Sequence, residues 1–314
     1  MMKKKRSQQT TLTGVLDLMT IGLIAATLMG FAGRLNWILD LFAHFRVQYF
    51  QIGLVLIAFA LLKGLKKRVV VLILLTTLNY VFVFPLYFGK PTPSSERPNR
   101  VLLININASN GNTEKVLRLI RRANPDVLVL EEVTPKWEQE LAILRKEYKH
   151  QIAEPREDCF GIMLLSKVPL QREQVVEIGS SGIPSILAEA HFPKGAVSII
   201  ATHPVPPISA TYARNRDNQL KALPKYTKDQ KLPVLLIGDL NITPWSPLFR
   251  DLIKKSGLRD SVKGFGFQPS WEGNWFMKIP IDHILHSPGI TIHNRVLGEH
   301  IGSDHRPVIV DFSF

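Results

Sequence analysis

Three long apolar segments in the N-terminal third constrain this chain more than any other feature. They cover about residues 12–33, 47–65 and 69–88, and each contains at most one charged side chain. A helix needs about 20 apolar residues to cross a bilayer, and the second segment reaches this length if Lys63 extends to the headgroups. A helical bundle in a soluble protein is the alternative, but none of the segments has an amphipathic period. We therefore expect residues 1–88 to form a membrane anchor of three transmembrane helices.

The charges that flank these segments predict their orientation. Basic residues cluster at 3–6 and at 63–68, whereas the loop at 34–46 is much less basic. Short basic loops stay on the cytoplasmic side of a membrane. The sequence thus predicts a multi-pass protein of the cell (inner or plasma) membrane, with a cytoplasmic N-terminus and an extracytoplasmic C-terminal domain. Residues 89–99, rich in Pro, Ser and charge, are expected to form a linker.

The positive charge of the chain lies mainly in its N-terminal third. Residues 1–99 contain 12 basic and 3 acidic side chains, a net of 12 − 3 = +9, whereas residues 100–314 contain 27 and 23, a net of 27 − 23 = +4. The high total charge is therefore weak support for nucleic-acid binding. The single cysteine, Cys159, excludes an intramolecular disulfide. We interpret it as a small packed residue rather than a catalytic thiol.

From Arg100 onward the sequence alternates between strand and helix patterns. Apolar runs such as VLLIN, DVLVL, SIIAT and VLLIG predict buried strands. Helices are predicted over 112–126, around Trp137–Tyr148, over 209–223 and from Pro247 to Gly257. This alternation over 215 residues is typical of an α/β sandwich.

Polar residues stand where the apolar runs end. The set comprises Asn105, Glu132, His203, Asp239, Asn241, Asp282, Asp304 and His305. Any one of them alone would be explained as a cap, a turn residue or a satisfied core residue. Together they combine carboxylate and amide oxygens, which Mg²⁺ prefers, with imidazoles that can transfer protons.

The ordered series RVLLIN, DVLVLEEV, TH, GDLN, IDHIL and GSDHRP resembles the endonuclease/exonuclease/phosphatase superfamily. The resemblance runs from about Arg100 to Phe314 and implies that residues 100–314 form a catalytic domain. The implied fold is an α/β four-layer sandwich of two mixed β-sheets flanked by helices, here preceded by the three transmembrane helices.

The resemblance also implies a set of roles for the polar residues. Mg²⁺ (or Mn²⁺) would be held by Glu132, Asn105 and Asp304. Asp239 would accept the proton of the attacking water, and Asn241 would orient water or phosphate. His305, fixed by Asp282, would donate to the phosphoryl oxygens, and His203 would bind phosphate from the other side.

Strand geometry allows some of these roles to be checked from the sequence. Side chains two apart share a face of a strand, so Asp239 and Asn241 can reach one site. Adjacent Glu131 and Glu132 cannot both do so; the resemblance selects Glu132, and the family usually has Gln at the preceding position.

Two further positions are judged on the same geometry. Asn105 and Asn107 share a face, so geometry does not choose between them, and the family register favours Asn105. His283 should point away from Asp282.

The catalytic set belongs to the whole superfamily and does not name a substrate. We expect a phosphodiester hydrolase, with a nuclease acting outside the cytoplasm ahead of a phospholipid or sphingomyelin-type phosphodiesterase. A non-catalytic membrane-tethered adaptor is the third hypothesis. Besides the phosphodiester substrate and the bilayer, no obligate protein partner is expected.

Two segments near the predicted site are open to several interpretations. The stretch 268–280 holds Trp271, Trp275, Phe276 and Met277, which could stack on bases, lean into lipid or belong to the core. Arg214 or Arg216 could approach phosphate, although a solvated helix face is the favoured interpretation.

Overall fold

A computed structural model of the chain describes residues 2–89 and 97–314. Most of the predicted linker, and the side chains of the basic cluster at 3–6, lie outside the described residues. The chain divides into two compact units. The first consists of Met1–Pro85 and Trp245–Pro247, and the second of Leu86–Pro244 and Leu248–Phe314.

The first unit is built from helices. These are α1 (Met2–Phe31), α2 (Trp37–Leu41), α3 (Arg46–Leu62) and α4 (Lys66–Val83). Among the residues that the structure describes, three stretches are long and apolar enough to cross a membrane, namely Leu12–Phe31, Trp37–Leu62 and Lys66–Tyr87. The second begins at Trp37 rather than at residue 47, because α2 and a following 3₁₀ turn lead directly into α3.

Polar side chains of the first unit bind one another. Asn79 donates from Nδ2 to Oγ1 of Thr27 at 3.0 Å and accepts from Nη1 of Arg46 at 3.0 Å. Asp17 accepts from Nη2 of Arg68 at 2.8 Å. Such pairing reduces the cost of placing polar groups in apolar surroundings, and it links neighbouring apolar helices to one another.

In its described part, the second unit contains strands and four α-helices in alternation. The helices are α5 (Thr113–Ala123), α6 (Pro135–Leu141), α7 (Ala210–Lys228) and α8 (Pro247–Ser256), the last starting within the residues assigned to the first unit. The strands are β1 (Asn99–Asn105), β2 (Val127–Glu131), β3 (His150–Glu154), β4 (Ile162–Ser166), β5 (Leu170–Glu177), β6 (Pro184–Phe192), β7 (Gly195–Thr202), β8 (Val234–Asp239), β9 (Arg259–Asp260), β10 (Trp271–Glu272), β11 (Lys278–Ile279), β12 (Asp282–His286), β13 (Thr291–Leu297) and β14 (Val308–Ser313).

These strands form two six-stranded mixed sheets. The first sheet has the order β13-β14-β1-β2-β4-β3 and the second the order β5-β6-β7-β8-β12-β9. Each sheet has a central parallel pair, β1 with β2 and β7 with β8, and its other neighbours are antiparallel. Strands β10 and β11 form a separate hairpin. The carboxyl ends of the two parallel pairs carry most of the polar residues discussed above.

Three apolar layers hold this unit together. The middle layer packs the two sheets face to face and includes Val129 of β2 and Ile237 of β8. An outer layer joins the first sheet to α5 and α6, and another joins the second sheet to α7 and α8. Because central strands are covered on both faces, they appear in the sequence as continuous apolar runs. The predicted four-layer α/β sandwich is confirmed.

Two local predictions differ from the structure. The helix predicted as far as Tyr148 ends as α-helix at Leu141 and continues as a 3₁₀ turn over Ala142–Lys146. Strands such as β5 and β13 were not predicted. Both lie at a sheet edge, and β5 is largely exposed, so its sequence LQREQVVE lacks the apolar run of a central strand.

Candidate active site

Asp239, the last residue of β8, lies at the centre of a cluster of polar side chains in the second unit. Its partner across the sheet is Asp282, the first residue of β12, so two carboxylates lie side by side at one end of the sheet. Both are almost fully buried, at 2% and 1% exposure. Buried carboxylates need donors or cations nearby, and the surrounding residues supply donors.

His305 bridges these two carboxylates. Its Nδ1 lies 2.9 Å from Oδ2 of Asp282, and its Nε2 lies 3.6 Å from Oδ2 of Asp239. Desolvation lowers the pKa of His305, but the negative charges of Asp282 and Asp239 outweigh it and raise the pKa to about 10. The imidazole is therefore a cation at neutral pH and a hydrogen-bond donor at both nitrogens.

His203 contacts Asp239 as well, from the end of β7. Its Nε2 lies 3.5 Å from Oδ2 of Asp239, and its Nδ1 has no hydrogen-bond partner within the described part of the chain. Desolvation lowers the pKa of His203, but Asp239 and the charge of Glu131 raise it to about 9. Burial also acts on Asp239, yet the nearby imidazoles hold the pKa of that carboxyl below its ordinary value. Asp239 thus stays ionised between two histidines.

Glu132 and Asn105 meet at the end of the first sheet. Nδ2 of Asn105 donates to Oε1 of Glu132 at 2.9 Å and lies 3.5 Å from Oδ2 of Asp239. The other Glu132 oxygen accepts the main-chain N–H of Ala108 at 3.0 Å. Asn105 therefore connects the polar residues of the first sheet with those of the second.

Asp304 is tied to the same edge through Asn107. Nδ2 of Asn107 donates to Oδ1 of Asp304 at 2.8 Å, and the main-chain N–H of Asn107 donates to Oδ1 of Asn105 at 3.1 Å. The indole N–H of Trp271 donates to the second Asp304 oxygen at 3.0 Å. Strand geometry did not decide whether Asn105 or Asn107 belongs to the site. The structure brings both into the cluster, where Asn105 donates to Glu132 and Asn107 donates to Asp304.

Several of these residues leave regular strand geometry. Asn107, Glu132 and Asn241 have positive φ angles of 60°, 60° and 50°. The left-handed conformation costs a side-chain-bearing residue on the order of 1–3 kcal/mol, and such positions gather at functional sites. Asn241 is further fixed because its main-chain N–H donates to Asp239 at 2.9 Å and its Nδ2 donates to the carbonyl of Pro204 at 2.9 Å.

Glu131 corrects the expectation that only one of the adjacent glutamates reaches the site. Both of its oxygens accept the main-chain N–H of Asp239, at 3.0 and 3.2 Å, and its side chain is fully buried. Burial raises the pKa of Glu131 to about 8. The alternation rule fails here because Glu132 has turned into the left-handed region, so the two side chains no longer point to opposite faces.

Helix α7 contributes two buried polar side chains that support the site. Nη1 of Arg216 donates to the carbonyl of Asn241 at 3.1 Å, and Nε2 of Gln219 donates to Oγ1 of Thr202 at 2.8 Å. Both residues are fully buried. The expectation of a solvated face is therefore wrong for Arg216, although the neighbouring Arg214 is exposed. Their place on the apolar face with Ala213 and Leu220, at helical spacing, is the signal that could have identified them.

A second buried network lies behind Asp282. Nη2 of Arg295 donates to the carbonyl of Asp282 at 3.2 Å, and Nε donates to Ser261 at 3.2 Å. Asp260 lies 3.7 Å from Nδ1 of His283, whose Nε2 contacts the carbonyl of Ile242 at 2.8 Å. His283 thus points away from Asp282, in agreement with strand alternation.

The chain matches a family model and, over a shorter length, two curated relatives. The model described as the Endonuclease/Exonuclease/phosphatase family matches residues 102–305. UPF0294 proteins from Vibrio campbellii and Vibrio parahaemolyticus are 29% identical over 96 residues and 30% identical over 97 residues. Each match covers 31% of this chain and 33% of the relative, so the chain spans about a third of the length of the curated relatives it matches.

Solved structures of several hydrolases share the fold of the second unit. An endonuclease/exonuclease/phosphatase from Beutenbergia cavernae has a TM-score of 0.56 and 21% identity over 69% of this chain and 72% of that chain. The 3′ phosphatase NExo from Neisseria, bound to a product DNA hairpin, has a TM-score of 0.58 and 19% identity, and the match covers 69% of this chain and 100% of that chain. Sphingomyelinase C from Streptomyces griseocarneus has a TM-score of 0.51 and 16% identity, and the match covers 69% of this chain and 99% of that chain. At these identities the likeness shows the fold alone.

Proposed function

Because the chain belongs to the endonuclease/exonuclease/phosphatase family, we propose that it is a membrane-anchored, divalent-metal-dependent phosphodiesterase. Members of this family are hydrolases that act on phosphodiester bonds. The observation that carries the proposal is the position of Asp239, an ionised carboxylate between His203 and His305 at the edge where both sheets present their polar residues.

The donor set suits a hard divalent cation. Four carboxylates lie at this edge with the amides of Asn105 and Asn107, and Mg²⁺ and Mn²⁺ prefer such oxygen ligands. Asp239, Asp282 and His305 offer atoms within 4.8 Å of one another, but Nδ1 of His305 is already hydrogen-bonded to Asp282 at 2.9 Å. We therefore assign the metal to Glu132, Asn105 and Asp304. A cation held there would neutralise charge on the phosphoryl oxygens and lower the pKa of a bound water.

The remaining residues perform the proton transfer and the positioning. Asp239 accepts the proton of the attacking water, since its pKa is held low and it stays ionised at neutral pH. His305, oriented by Asp282, donates a hydrogen bond to the phosphoryl oxygens as negative charge accumulates there. His203 donates from the other side, and Asn241 orients water or phosphate. Most of the catalysis is then positioning and charge neutralisation.

The three candidate spans and their flanking charges support an extracytoplasmic location for the catalytic unit. A fusion of alkaline phosphatase after Phe314 tests this orientation and should be active. An inactive phosphatase fusion, together with a fluorescent green fluorescent protein fusion at the same position, would place the catalytic unit in the cytoplasm.

Nucleic acid is the first substrate candidate, because the Neisseria neighbour is bound to product DNA. The second candidate is a phospholipid headgroup, favoured by a sphingomyelinase of the same fold and by the exposed Trp275, which lies between strands β10 and β11 of the hairpin whose Trp271 contacts Asp304. Full-length protein in detergent should be incubated with plasmid DNA, RNA and a phospholipid panel, with Mg²⁺ or with EDTA. We expect hydrolysis that EDTA abolishes and that Asp239→Asn reduces by at least about a thousandfold, because the base is lost.

A non-catalytic adaptor is the competing hypothesis, and metal binding separates it from the enzyme. Calorimetric titration with Mg²⁺ or Mn²⁺ should detect a site in the wild type. Absence of both metal uptake and hydrolysis would favour the adaptor.

A further inference from the structure

Phe160 is a half-buried aromatic residue that, in the described part of the second unit, is not a member of any of the three apolar layers. Its ring lies against the polar cluster instead. The ring centroids of Phe160 and His203 are 5.7 Å apart, and the two ring planes are inclined by 50°. Paired aromatic rings favour offset or tilted arrangements with centroids about 4.5–7 Å apart. The position of Phe160 is therefore explained by its contact with His203 and not by core packing.

The imidazole of His203 is only weakly held by its own hydrogen bonds. Nε2 lies 3.5 Å from Oδ2 of Asp239, beyond the usual range of about 2.7–3.2 Å, and Nδ1 has no partner within residues 2–89 and 97–314. A half-turn of the ring about its Cβ–Cγ bond would move Nε2 away from Asp239 and place a carbon atom there. The orientation of the ring thus depends on the side chains packed against it.

The connection between β3 and β4, which carries Phe160, is bonded to the residue after a proposed metal ligand. The main-chain N–H of Arg156 donates to the carbonyl of Val133, and the N–H of Val133 donates to the carbonyl of Gly161, both at 3.0 Å. Val133 directly follows Glu132 in the sequence. The connection is therefore attached to the turn that positions Glu132.

The main chain is fixed on both sides of Phe160. A Cβ atom on Gly161 would lie 1.9 Å from the carbonyl oxygen of Val133, so only glycine permits this close approach. On the other side, Oδ1 of Asp158 accepts the N–H of Phe160 at 3.3 Å and the Nε–H of Arg156 at 2.9 Å. These contacts give the ring of Phe160 a defined position from which it can restrain a neighbour.

We propose that Phe160 is a positioning residue that keeps the imidazole of His203 oriented with Nε2 toward Asp239. Phe160 belongs to the connection attached to the Glu132 turn of the first sheet, whereas His203 follows β7 of the second. The ring contact thus joins the side of the site that would hold the metal to the side that would bind phosphate. The catalytic consequence of this inference rests on the proposed function. The orientation of the ring does not depend on catalysis and can be measured without it.

Nuclear magnetic resonance tests the orientation of His203 directly. Long-range ¹H–¹⁵N spectra of full-length, histidine-labelled protein in detergent show the ring nitrogens, and the signals absent in His203→Gln are those of His203. In Phe160→Leu these signals should move or split into two sets, because the ring then samples both orientations. Phe160→Tyr should keep the wild-type signals, as should the matched control Phe314→Leu, whose ring contacts are with Phe192 and Phe312. Unchanged His203 signals in Phe160→Leu would overturn the proposal.

A double-mutant cycle tests whether the effect of Phe160 on catalysis passes through His203. With bis(p-nitrophenyl) phosphate and Mn²⁺, Phe160→Leu should lower kcat at least about fivefold in the wild-type background and less than about twofold in the His203→Gln background. The reason is that a residue acting through another has no further effect once the other is removed. Phe160→Tyr should restore at least about half of the wild-type kcat.

The cycle also separates this inference from its alternatives. A loss of equal size in both backgrounds would show that Phe160 contacts the substrate or supports the fold, and it would overturn the positioning role. If the wild type hydrolyses no ester, the proposed function fails, whereas the resonance measurement still decides whether Phe160 orients His203.

Discussion

The main-chain N–H of Asp239 donates to both carboxylate oxygens of Glu131, at 3.0 and 3.2 Å, and joins the end of one sheet to the end of the other. Asp239 is the proposed general base. Its position therefore depends on a side chain from the opposite sheet, that of Glu131. The interaction requires an acceptor at Glu131 and does not require a negative charge.

Glu131→Gln should therefore keep most of the activity, because the amide oxygen can accept the same N–H group. Glu131→Leu should lower kcat at least tenfold and destabilise the fold by about 1–3 kcal/mol, the cost of an unsatisfied buried donor. Steady-state kinetics and thermal unfolding of both variants measure these effects. Equal activity of the Gln and Leu variants would contradict a positioning role.

Arg216 should be important for catalysis although it is separated from solvent. Arg216→Met removes the donor to the Asn241 carbonyl, and we expect kcat to fall about 10- to 100-fold as the left-handed turn at Asn241 relaxes. Arg214→Met is the matched control, since Arg214 lies on the exposed side of the same helix and should change kcat less than twofold. A larger effect at Arg214 would mean that the charge of the helix, and not the bond to Asn241, matters.

Removal of one proposed metal ligand should weaken metal binding selectively. Glu132→Gln should raise the dissociation constant for Mn²⁺ at least tenfold, because a neutral amide replaces a carboxylate ligand. Electron paramagnetic resonance of free Mn²⁺ measures this directly in the full-length protein. Glu138→Gln, on α6, changes the charge equally and should leave the affinity unchanged; unaltered affinity in Glu132→Gln would require a different ligand set.

The buried Asp260 should make the stability of the folded protein depend on pH in the acidic range. Desolvation raises the pKa of Asp260, but His283 and Arg295 outweigh it and hold the pKa below its ordinary value. Its stabilising contribution is therefore complete above about pH 4, the pKa of an unfolded Asp, and is lost as pH falls through the lower folded pKa. The difference in melting temperature between wild type and Asp260→Asn should shrink from pH 7 to pH 3. A constant difference would show that Asp260 is not ionised in the folded protein.

Much of the fold could be predicted because central strands are buried on both faces. The runs that became β1, β2, β7 and β8 contain almost only apolar residues, and each is followed by a polar residue of the cluster. Edge strands such as β5 have one solvated face and no such run, so their pairing depends on a neighbour that the local sequence does not specify.

The cluster itself was predicted less completely than the sheets. His203, Asp239, Asp282 and His305 come together as a contacting group, and their types alone indicated acid–base chemistry. Glu131 was passed over because strand alternation argued against it, and Arg216 because a solvated helix face was expected. Asn107 was passed over because the family register favoured Asn105, although strand geometry allowed either residue. Those rules hold within regular elements, whereas Glu132, Asn107 and Asn241 lie just beyond strand ends in left-handed turns.

The order of apolar runs and terminal polar residues thus determined the α/β sandwich and the family, because burial imposes a pattern that each strand carries locally. Which of two neighbouring side chains enters the cluster was decided only where the two sheets pack. There, a bond such as that from Asp239 to Glu131 joins residues 108 positions apart, and no local sequence pattern specifies such a pairing.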